Sequence, residues 1–349
     1  MKIIHTADIH LGSKINTFPK DVSDERKEEV RNSFKRMVNF AKQNEVSAII
    51  ISGDLFDSDR PFRKDKDFFL SVVKSTPEIT FFYLRGNHDE VGEEVQFDNL
   101  KTFTQEWSTI DFNGVKISGI ELSSKNSTSY YSTLNLDENS LNIVLLHGET
   151  SDSVGLNKIN LTKLKDKNID YLALGHFHSF KSGALGKGVY AYSGCLEGRG
   201  FDETGERGFI LLDVSDKISY EFIPFSERKI SLVTVDITGL SDAYSVYLRA
   251  KEVCSFSKND IYRVELIGSV DATVDGISQD VKKYLSGEVK FVEVKDLTKK
   301  KIDVKKYEND LSILGEFVRE VYNSGEFSEE EKARIIAYGL KALNNLEIE

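Results

Sequence analysis

Residues 170–178 read "DYLALGHFH", an apolar run that ends in a glycine and two histidines. Residues 141–149, "LNIVLLHGE", have the same form, with His147 directly after the apolar run. Continuous apolar runs of this length predict strands that are buried on both faces of a sheet. A polar residue at the end of such a strand lies at the carboxyl edge of the sheet, where open α/β sheets bind ligands.

Three other segments place polar residues after an apolar run in the same way. Asp8 and His10 occur in "HTADIH", and Asp54 occurs in "ISGDLFD". Asn87 and His88 occur in "LRGNHDE". Because the carboxyl ends of neighbouring strands meet at one edge, all five segments are expected to converge. The glycines beside them suit tight turns and close backbone approach; they are Gly53, Gly86, Gly148 and Gly175.

The residue types in these segments favour a metal site. Aspartate, asparagine and histidine without a thiolate supply oxygen and nitrogen ligands for a divalent cation. In Asp8-x-His10 and His176-x-His178, residues two apart on an extended strand point to the same side, so each pair is expected to reach one metal region. One histidine at a strand end is more often a satisfied polar residue, but five such segments make coincidence a minor alternative. His5, inside the first strand, is interpreted as structural.

The chain divides into three ranges that differ in their predicted strands and helices. Residues 1–225 interleave buried strands with helices, which predicts an α/β sandwich with sheet inside and helices outside. One of these helices is predicted over residues 23–43, with Ser23 as its N-cap. Residues 226–297 follow a βαβαβ pattern that predicts a small α/β domain, with one helix over 242–254 and another over 273–285.

Residues 303–349 have no strand signal and predict two amphipathic helices. Ser328 and Glu331 form an S-x-x-E capping box at the start of the second helix. The helices either fold back on the rest of the chain or form a docking hairpin for a partner helix. Their apolar stripe is expected to consist of Leu311, Leu314, Phe317, Val318, Val321, Tyr322, Ile336, Leu340 and Leu343.

Composition excludes some classes of protein. With 40% hydrophobic residues the chain can bury a core, and it has no apolar run of the roughly 20 residues that a membrane helix needs. Its two cysteines, Cys195 and Cys254, lie far apart and are interpreted as reduced thiols of a cytoplasmic protein. The formal charge of −11 argues against a nucleic-acid partner, although binding is decided by local charge.

The motif order D-x-H, G-D, G-N-H-D, H and G-H-x-H resembles that of the calcineurin-like metallophosphoesterases. Within them, "HTADIHLG", "GDLFDSDRP" and "YLALGHFH" followed by "YSGCLE" resemble the SbcD-type DNA double-strand-break repair nucleases, whose archaeal and eukaryotic counterparts are the meiotic recombination nucleases. The resemblance implies a four-layer α/β/β/α sandwich over 1–225. It also implies an α/β capping domain that binds DNA over 226–297 and a helical hairpin over 303–349 that docks on a partner.

The resemblance implies a centre of two Mn²⁺ ions, with Mg²⁺ or other divalent ions possible. One ion would be held by Asp8, His10 and His178, the other by Asn87, His147 and His176, with Asp54 as the bridge. His88 would be the catalytic residue that donates a proton to the leaving oxygen; the alternative is that it orients Asn87. Some members carry histidine where this chain has Asp57, which either contacts substrate or orients a ligand histidine.

The implied activity is exonuclease and endonuclease cleavage of DNA for repair and recombination. The substrates would be double-stranded ends, hairpins and single strands, and the enzyme would be a homodimer working with an SMC-like coiled-coil ATPase. Its location would be the cytoplasm, at the nucleoid in a prokaryote. The alternatives are a phosphoesterase for small or protein substrates and a non-enzymatic scaffold of a repair complex. Candidate DNA contacts, besides Asp57, are Lys14, Arg60, Arg63, Arg85, Lys181, Lys187 and Arg199.

Overall fold

The computed structural model describes residues 1–89, 97–271, 274 and 276–343. Parts of the predicted helix over 273–285 and the last six residues of the predicted tail lie outside this range. The chain forms two compact units, Met1–Lys229 and Ile230–Glu349. The first unit ends four residues beyond the expected boundary at 225, and the second holds both the α/β range and the tail.

Within its described residues, the first unit contains fourteen strands, three α-helices and a 3₁₀ helix at Leu161–Lys163. The helices are α1 (Lys20–Gln43), α2 (Arg63–Lys74) and α3 (Tyr130–Thr133). The strands are β1 (Lys2–Thr6), β2 (Val46–Ser52), β3 (Thr80–Leu84), β4 (Leu100–Thr102), β5 (Ser108–Phe112), β6 (Val115–Gly119), β7 (Leu141–His147), β8 (Glu149–Thr150), β9 (Lys158–Ile159), β10 (Tyr171–Gly175), β11 (Lys181–Leu185), β12 (Gly188–Tyr192), β13 (Gly208–Val214) and β14 (Ile218–Pro224).

Two six-stranded sheets form the centre of this unit. The first has the order β14-β13-β1-β2-β3-β4, and the second has the order β11-β12-β10-β7-β6-β5. In both sheets the central strands are parallel and the antiparallel strands lie at an edge. Parallel central strands bring the ends of β1, β2 and β3 to one edge of the first sheet. They bring the ends of β7 and β10 to one edge of the second.

Alternating residues of the two sheets pack face to face. Ile3, Ile50 and Phe82 from the first sheet join Leu145 and Ala173 from the second in one buried cluster. Strand periodicity explains this arrangement, because every second side chain points to the same face. The confirmed architecture is therefore an α/β fold built on two packed sheets.

The outer faces of the two sheets are covered differently. Helices α1 and α2 cover the first sheet, where Phe34 of α1 contacts Phe69 of α2, and Phe69 contacts Phe81 of β3. Over the second sheet, the described residues form only α3, the 3₁₀ helix and loops. Tyr130 of α3 lies in one buried cluster with Leu146 of β7. The connections at residues 120–140 and 148–170 hold these short elements, whereas the β5–β6 and β11–β12 connections are short hairpin turns.

Helix α1 begins earlier than the sequence predicted, and the assignment of Ser23 as its N-cap is wrong. The helix starts at Lys20, directly after Pro19, and Ser23 lies in its first turn. The Ser23 hydroxyl donates a hydrogen bond to the carbonyl oxygen of Phe18 at 2.9 Å. A proline favours the start of a helix because its φ is fixed near helical values and its missing N–H is not needed there.

The second unit confirms the predicted βαβαβ pattern. It contains β15 (Ile230–Asp236), α4 (Ala243–Val253), β16 (Ile261–Ile267), β17 (Ser269–Asp271), α5 (Ile277–Leu285), β18 (Phe291–Asp296), β19 (Lys299–Lys301), a 3₁₀ helix at Val304–Tyr307, α6 (Ile313–Asn323) and α7 (Glu329–Leu343). Strands β15, β16 and β18 form a parallel sheet whose buried face packs on Val246 of α4 and Val281 of α5. Strand β19 pairs with β17 and so joins the tail to this unit.

The two tail helices pack against each other. Val318 of α6 contacts Ile336 and Leu340 of α7 in a small buried cluster. The predicted capping box is present, because the backbone N–H of Glu331 donates to the Ser328 hydroxyl and the N–H of Ser328 donates to the Glu331 carboxylate. Leu311 was wrongly placed on the apolar stripe, since it precedes α6 and is 98% exposed. None of the helices within the described ranges is long and apolar enough to cross a membrane.

The packing of the two sheets predicts a large effect of truncating Phe82. Phe82 is fully buried between the sheets, and its ring contacts that of Phe112. We expect Phe82→Ala to lower the free energy of unfolding by about 3–5 kcal/mol, because it removes apolar contacts and leaves a cavity. Trp107, the only tryptophan, lies in the first unit, so its fluorescence during urea unfolding measures this unit.

The matched control is Phe62→Ala, since Phe62 is 61% exposed. Its effect on the same unfolding curve is expected to stay within about 0.5 kcal/mol. Equal effects of the two substitutions would contradict a core between the sheets.

Candidate metal centre

The loops that follow β1 and β2 run side by side at the edge of the first sheet. The backbone N–H of Asp8 donates to the carbonyl of Gly53 at 3.0 Å, and that of His10 donates to the carbonyl of Asp54 at 3.1 Å. The loop after β10 joins them from the second sheet, because the N–H of His176 donates to both carboxylate oxygens of Asp8 at 3.0 Å. The predicted convergence of these segments is therefore present.

The backbone of these loops is not the extended strand that the sequence suggested. Strand β1 ends at Thr6 and β10 ends at Gly175, before the histidine and aspartate residues. Asp8, His10 and Asp54 have φ near +50°, and His176 has φ of +105°. The prediction that strand alternation aligns Asp8 with His10 and His176 with His178 is therefore wrong. The left-handed turns give the side chains their inward direction instead, at a cost of order 1–3 kcal/mol per strained residue.

The predicted ligand side chains lie together in two overlapping groups. Asp8, His10 and His178 offer ligand atoms within 4.8 Å of one another, and so do Asp8, Asp54 and His147. The Nε2 atoms of His10 and His178 are 3.3 Å apart. Asp8 belongs to both groups and so lies at the centre of the cluster, whereas Asp54 belongs to the second group alone.

The remaining predicted ligands adjoin the second group. Asn87 Oδ1 lies 3.0 Å from His147 Nε2, and Asp54 Oδ2 lies 3.4 Å from the same nitrogen. The ring centroid of His176 is 5.4 Å from that of His147. All seven residues that the sequence assigned as ligands therefore occupy one site.

Partners on the outer side of the imidazole rings leave their inner nitrogens available; His147 and His178 have hydrogen bonds there, and His10 has an ion-pair contact. His147 Nδ1 lies 2.9 Å from the carbonyl of Ser52, which only accepts and so places the proton on Nδ1. His178 Nδ1 lies 2.6 Å from Glu203 Oε1, and His10 Nδ1 lies 3.1 Å from Asp57 Oδ1. With the proton on Nδ1, a neutral ring presents the lone pair of Nε2 to the cluster, an arrangement typical of metal-bound histidines. His147 reaches this form when a cation displaces its second proton. The donor set therefore fits divalent cations.

Two carboxylates that support the site were missed by sequence reasoning. Asp89 is buried and accepts hydrogen bonds from the N–H groups of Gly86 and Phe56, both at 2.8 Å, which joins the loops after β3 and β2. Its place in "GNHD" could have indicated this role. Glu203 lies 25 residues after His178, and no spacing in the sequence signals their contact.

Two glycines are required by the closeness of the loops. A Cβ at Gly53, whose φ is +93°, would overlap Nδ1 of His147. A Cβ at Gly175 would overlap the carbonyl oxygen of Ser52. The expectation that these glycines permit close approach is confirmed at both positions.

Burial and paired charges shift the pKa values of the central groups. Burial raises the pKa of Asp8 to about 7, although His147 and His178 oppose the shift. Burial disfavours a charged His147, but its hydrogen bond to Asp54 outweighs this and raises its pKa to about 9. Despite its own burial, Asp54 has a pKa well below its usual range because of the same hydrogen bond. Burial lowers the pKa values of His10 and His176, which keeps both rings neutral.

The predicted catalytic and DNA-contacting residues are placed as follows. His88 is exposed, and its ring centroid is 5.5 Å from that of His10. Arg60, Arg63 and Lys181 are exposed, whereas Arg85 pairs with the buried Glu121.

Three further candidates for DNA contact have protein partners or lie at the surface. Lys14 is exposed, and Lys187 pairs with Asp170 at 3.0 Å. Arg199 pairs with Asp57 and Glu203, both at 2.7 Å. The geometry favours structural roles for Arg85 and Arg199 over phosphate contact.

Fold and site together define a metal-dependent phosphoesterase. The chain belongs to the calcineurin-like phosphoesterase family, whose model matches residues 1–180. That family has a centre of two divalent metal ions, and the seven converging residues are this chain's candidate ligands.

Curated relatives match over most of this chain. "Uncharacterized metallophosphoesterase YhaO" of Bacillus subtilis is 26% identical over 282 residues, which cover 74% of this chain and 68% of the relative. A "DNA double-strand break repair protein Mre11" of Thermoplasma acidophilum is 25% identical and covers 80% of each chain. One of the same name from Sulfurisphaera tokodaii is 26% identical and covers 76% of this chain and 73% of the relative.

The raised pKa values predict that metal binding releases protons. In the metal-free protein, Asp8 with a pKa of about 7 and His147 with a pKa of about 9 both hold protons at pH 6. A bound cation must displace them, so the apparent affinity for Mn²⁺ should rise between pH 6 and 9. Calorimetric titration in two buffers of different ionisation enthalpy measures the protons released. We expect more protons to be released at pH 6 than at pH 8. Stronger Mn²⁺ binding at pH 6 than at pH 8 would contradict the assignment of Asp8 and His147 as ligands.

Proposed function

We propose that this phosphoesterase is a Mn²⁺-dependent DNA nuclease that hydrolyses phosphodiester bonds at double-stranded ends or hairpins. The observation that carries the proposal is the seven-residue ligand cluster with an exposed histidine, His88, beside it. Two relatives named as Mre11 support the choice of DNA as substrate. The first unit holds 229 of the 349 residues, so a match over 80% of the chain extends into the second unit.

The ligand cluster would hold two cations. Asp8, His10 and His178 would hold one, and Asn87, His147 and His176 the other, with Asp54 between them. When bound, two such ions neutralise charge on a phosphodiester and acidify water. The protein fixes the ligand side chains through the outer hydrogen bonds of the histidines, so the site requires little rearrangement to bind.

His88 is suited to act on the leaving group. Its backbone N–H donates to Asp54 Oδ1 at 3.0 Å, which fixes the residue beside the cluster. Its side chain is exposed and close to His10, so a bound phosphodiester can approach it from solvent. An imidazole at this point donates a proton to the departing sugar oxygen, a step that typically contributes about 10²–10⁴-fold to the rate.

Local charge reconciles an acidic chain with an anionic substrate. The formal charge is −11, but two bound divalent cations outweigh the two central carboxylates, Asp8 and Asp54. Lys14, Arg60, Arg63 and Lys181 are exposed cations in or beside the motif loops and are the remaining candidates for phosphate contact. The α/β range 226–297 would contribute further DNA contacts.

A partner would supply the rest of the affinity for DNA. The tail leaves large apolar side chains exposed, namely Leu311, Ile313, Tyr322, Tyr338 and Leu343. We assign this hairpin to docking on the coiled coil of an SMC-like ATPase, in a complex for DNA repair and recombination. The nuclease would be a homodimer in that complex.

A phosphoesterase for a smaller substrate is the second candidate. Arg85 and Arg199 were expected to contact DNA phosphates, but both pair with carboxylates of the protein. The loss of these two expected DNA contacts favours a smaller substrate. The same ligand cluster and His88 would serve that chemistry. A scaffold without activity is disfavoured, because such a protein has no need of seven converging metal ligands.

Substitution of His88 tests the proposed nuclease. We expect the wild-type protein to degrade linear duplex DNA with Mn²⁺ and His88→Ala to be slower by about 10²–10⁴-fold, because the leaving oxygen loses its proton donor. Mn²⁺ binding, measured by calorimetry, should be unchanged, since His88 is not assigned as a ligand.

The controls separate substrate class from chemistry. Asp54→Asn should lose metal binding and activity together, and bis(p-nitrophenyl) phosphate reports phosphodiester cleavage without DNA. Cleavage of the small ester without cleavage of DNA would favour the second candidate. Full DNA cleavage by His88→Ala would remove His88 from the mechanism.

A further inference from the structure

Arg199 contacts two carboxylates that come from different parts of the chain. Its Nη1 donates to Asp57 Oδ1 at 2.7 Å, and its Nη2 donates to Glu203 Oε1 at 2.7 Å. Its own backbone N–H donates to Glu203 Oε2 at 2.7 Å, so Glu203 is bound from two directions. The Arg199 side chain is 17% exposed, which limits competition from water.

Each of these carboxylates contacts a different predicted ligand of the same metal. Glu203 Oε1 lies 2.6 Å from His178 Nδ1, and Asp57 Oδ1 lies 3.1 Å from His10 Nδ1. The two rings meet on their inner sides, where their Nε2 atoms are 3.3 Å apart. One guanidinium group therefore connects the outer sides of both rings.

We propose that Arg199 is a positioning residue that sets the spacing of His10 and His178 through Asp57 and Glu203. The planar guanidinium holds both carboxylates at fixed angles, and each carboxylate then fixes one ring with its Nε2 turned inward. Pairing with Arg199 also keeps the two carboxylates from turning towards the cation as additional ligands. The inference rests on the family's metal centre and is independent of whether the substrate is DNA.

The other predicted metal position is fixed by a different means. His147 Nδ1 lies 2.9 Å from a backbone carbonyl, that of Ser52, in the buried end of β2. A backbone acceptor requires no cation to orient it. Loss of Arg199 should therefore affect one metal position and leave the other intact, which a general loss of stability would not do.

Mn²⁺ binding to Arg199→Met tests the proposal without any substrate. Calorimetry should show one Mn²⁺ bound as in the wild type and the other weakened by roughly 10–100-fold, the usual effect of removing a residue that supports a ligand. Electron paramagnetic resonance, with Mn²⁺ in excess by one equivalent, distinguishes isolated Mn²⁺ ions from spin-coupled Mn²⁺ pairs. Arg199→Met should show more of the isolated-ion signal and less of the paired signal than the wild type.

Arg31→Met is the matched control. Arg31 is 16% exposed and pairs with the fully buried Asp65 at 2.7 Å, so its loss removes a comparable buried ion pair. Urea unfolding of the metal-free proteins shows whether both variants fold. We expect Arg31→Met to bind two Mn²⁺ as the wild type does, and an equal weakening in the two variants would overturn the proposal.

Arg199→Lys separates geometry from charge. A lysine keeps the positive charge but has no planar fork to hold two carboxylates at once, so we expect the weakened Mn²⁺ position to persist. Full recovery of binding in Arg199→Lys would overturn the proposal, because charge alone would then suffice. If Arg199→Met does not fold, Mn²⁺ binding to Arg199→Lys tests the proposal in its place. Two unaltered Mn²⁺ affinities in a folded variant would likewise refute the role of Arg199.

Discussion

The hydrogen bonds from the backbone N–H of His176 to the two oxygens of Asp8 join the two sheets at the site. Asp8 follows a strand of the first sheet and His176 follows a strand of the second, so the contact brings the two loops together where the ligands lie. It also determines what Asp8 can do, because its oxygens are held towards the centre of the cluster. Burial raises the pKa of this carboxyl to about 7, so in the metal-free protein a proton competes with a cation for Asp8 near neutral pH.

Much of the fold and the convergence of the seven candidate ligands could be predicted from the sequence. In β7 and β10, residues 143–146 and 171–174 are fully buried, and the histidines that follow them reach the site. Such signals are local, since run length and residue type report burial directly. The βαβαβ pattern of the second unit was predictable for the same reason.

What could not be predicted depends on contacts between distant residues or on backbone conformation. The positive φ values at Asp8 and His176 leave no periodic signal in the sequence that would predict them. Glu203 and Arg199 look like ordinary surface charges in the sequence, and only the folded chain brings them to His178. Ser23 was misplaced because Pro19 competes with it for the start of the helix.

The separation of 168 positions between Asp8 and His176 has a consequence for biosynthesis. A ribosome that has released only the first sheet's strands β1 to β4 has made three of the motif segments but cannot complete any cation-binding group. The group of Asp8, Asp54 and His147 can form only after β7 has emerged, and the group of Asp8, His10 and His178 only after β10. Glu203, which contacts His178, follows later still. A chain that stops before β10 therefore lacks one of the two groups.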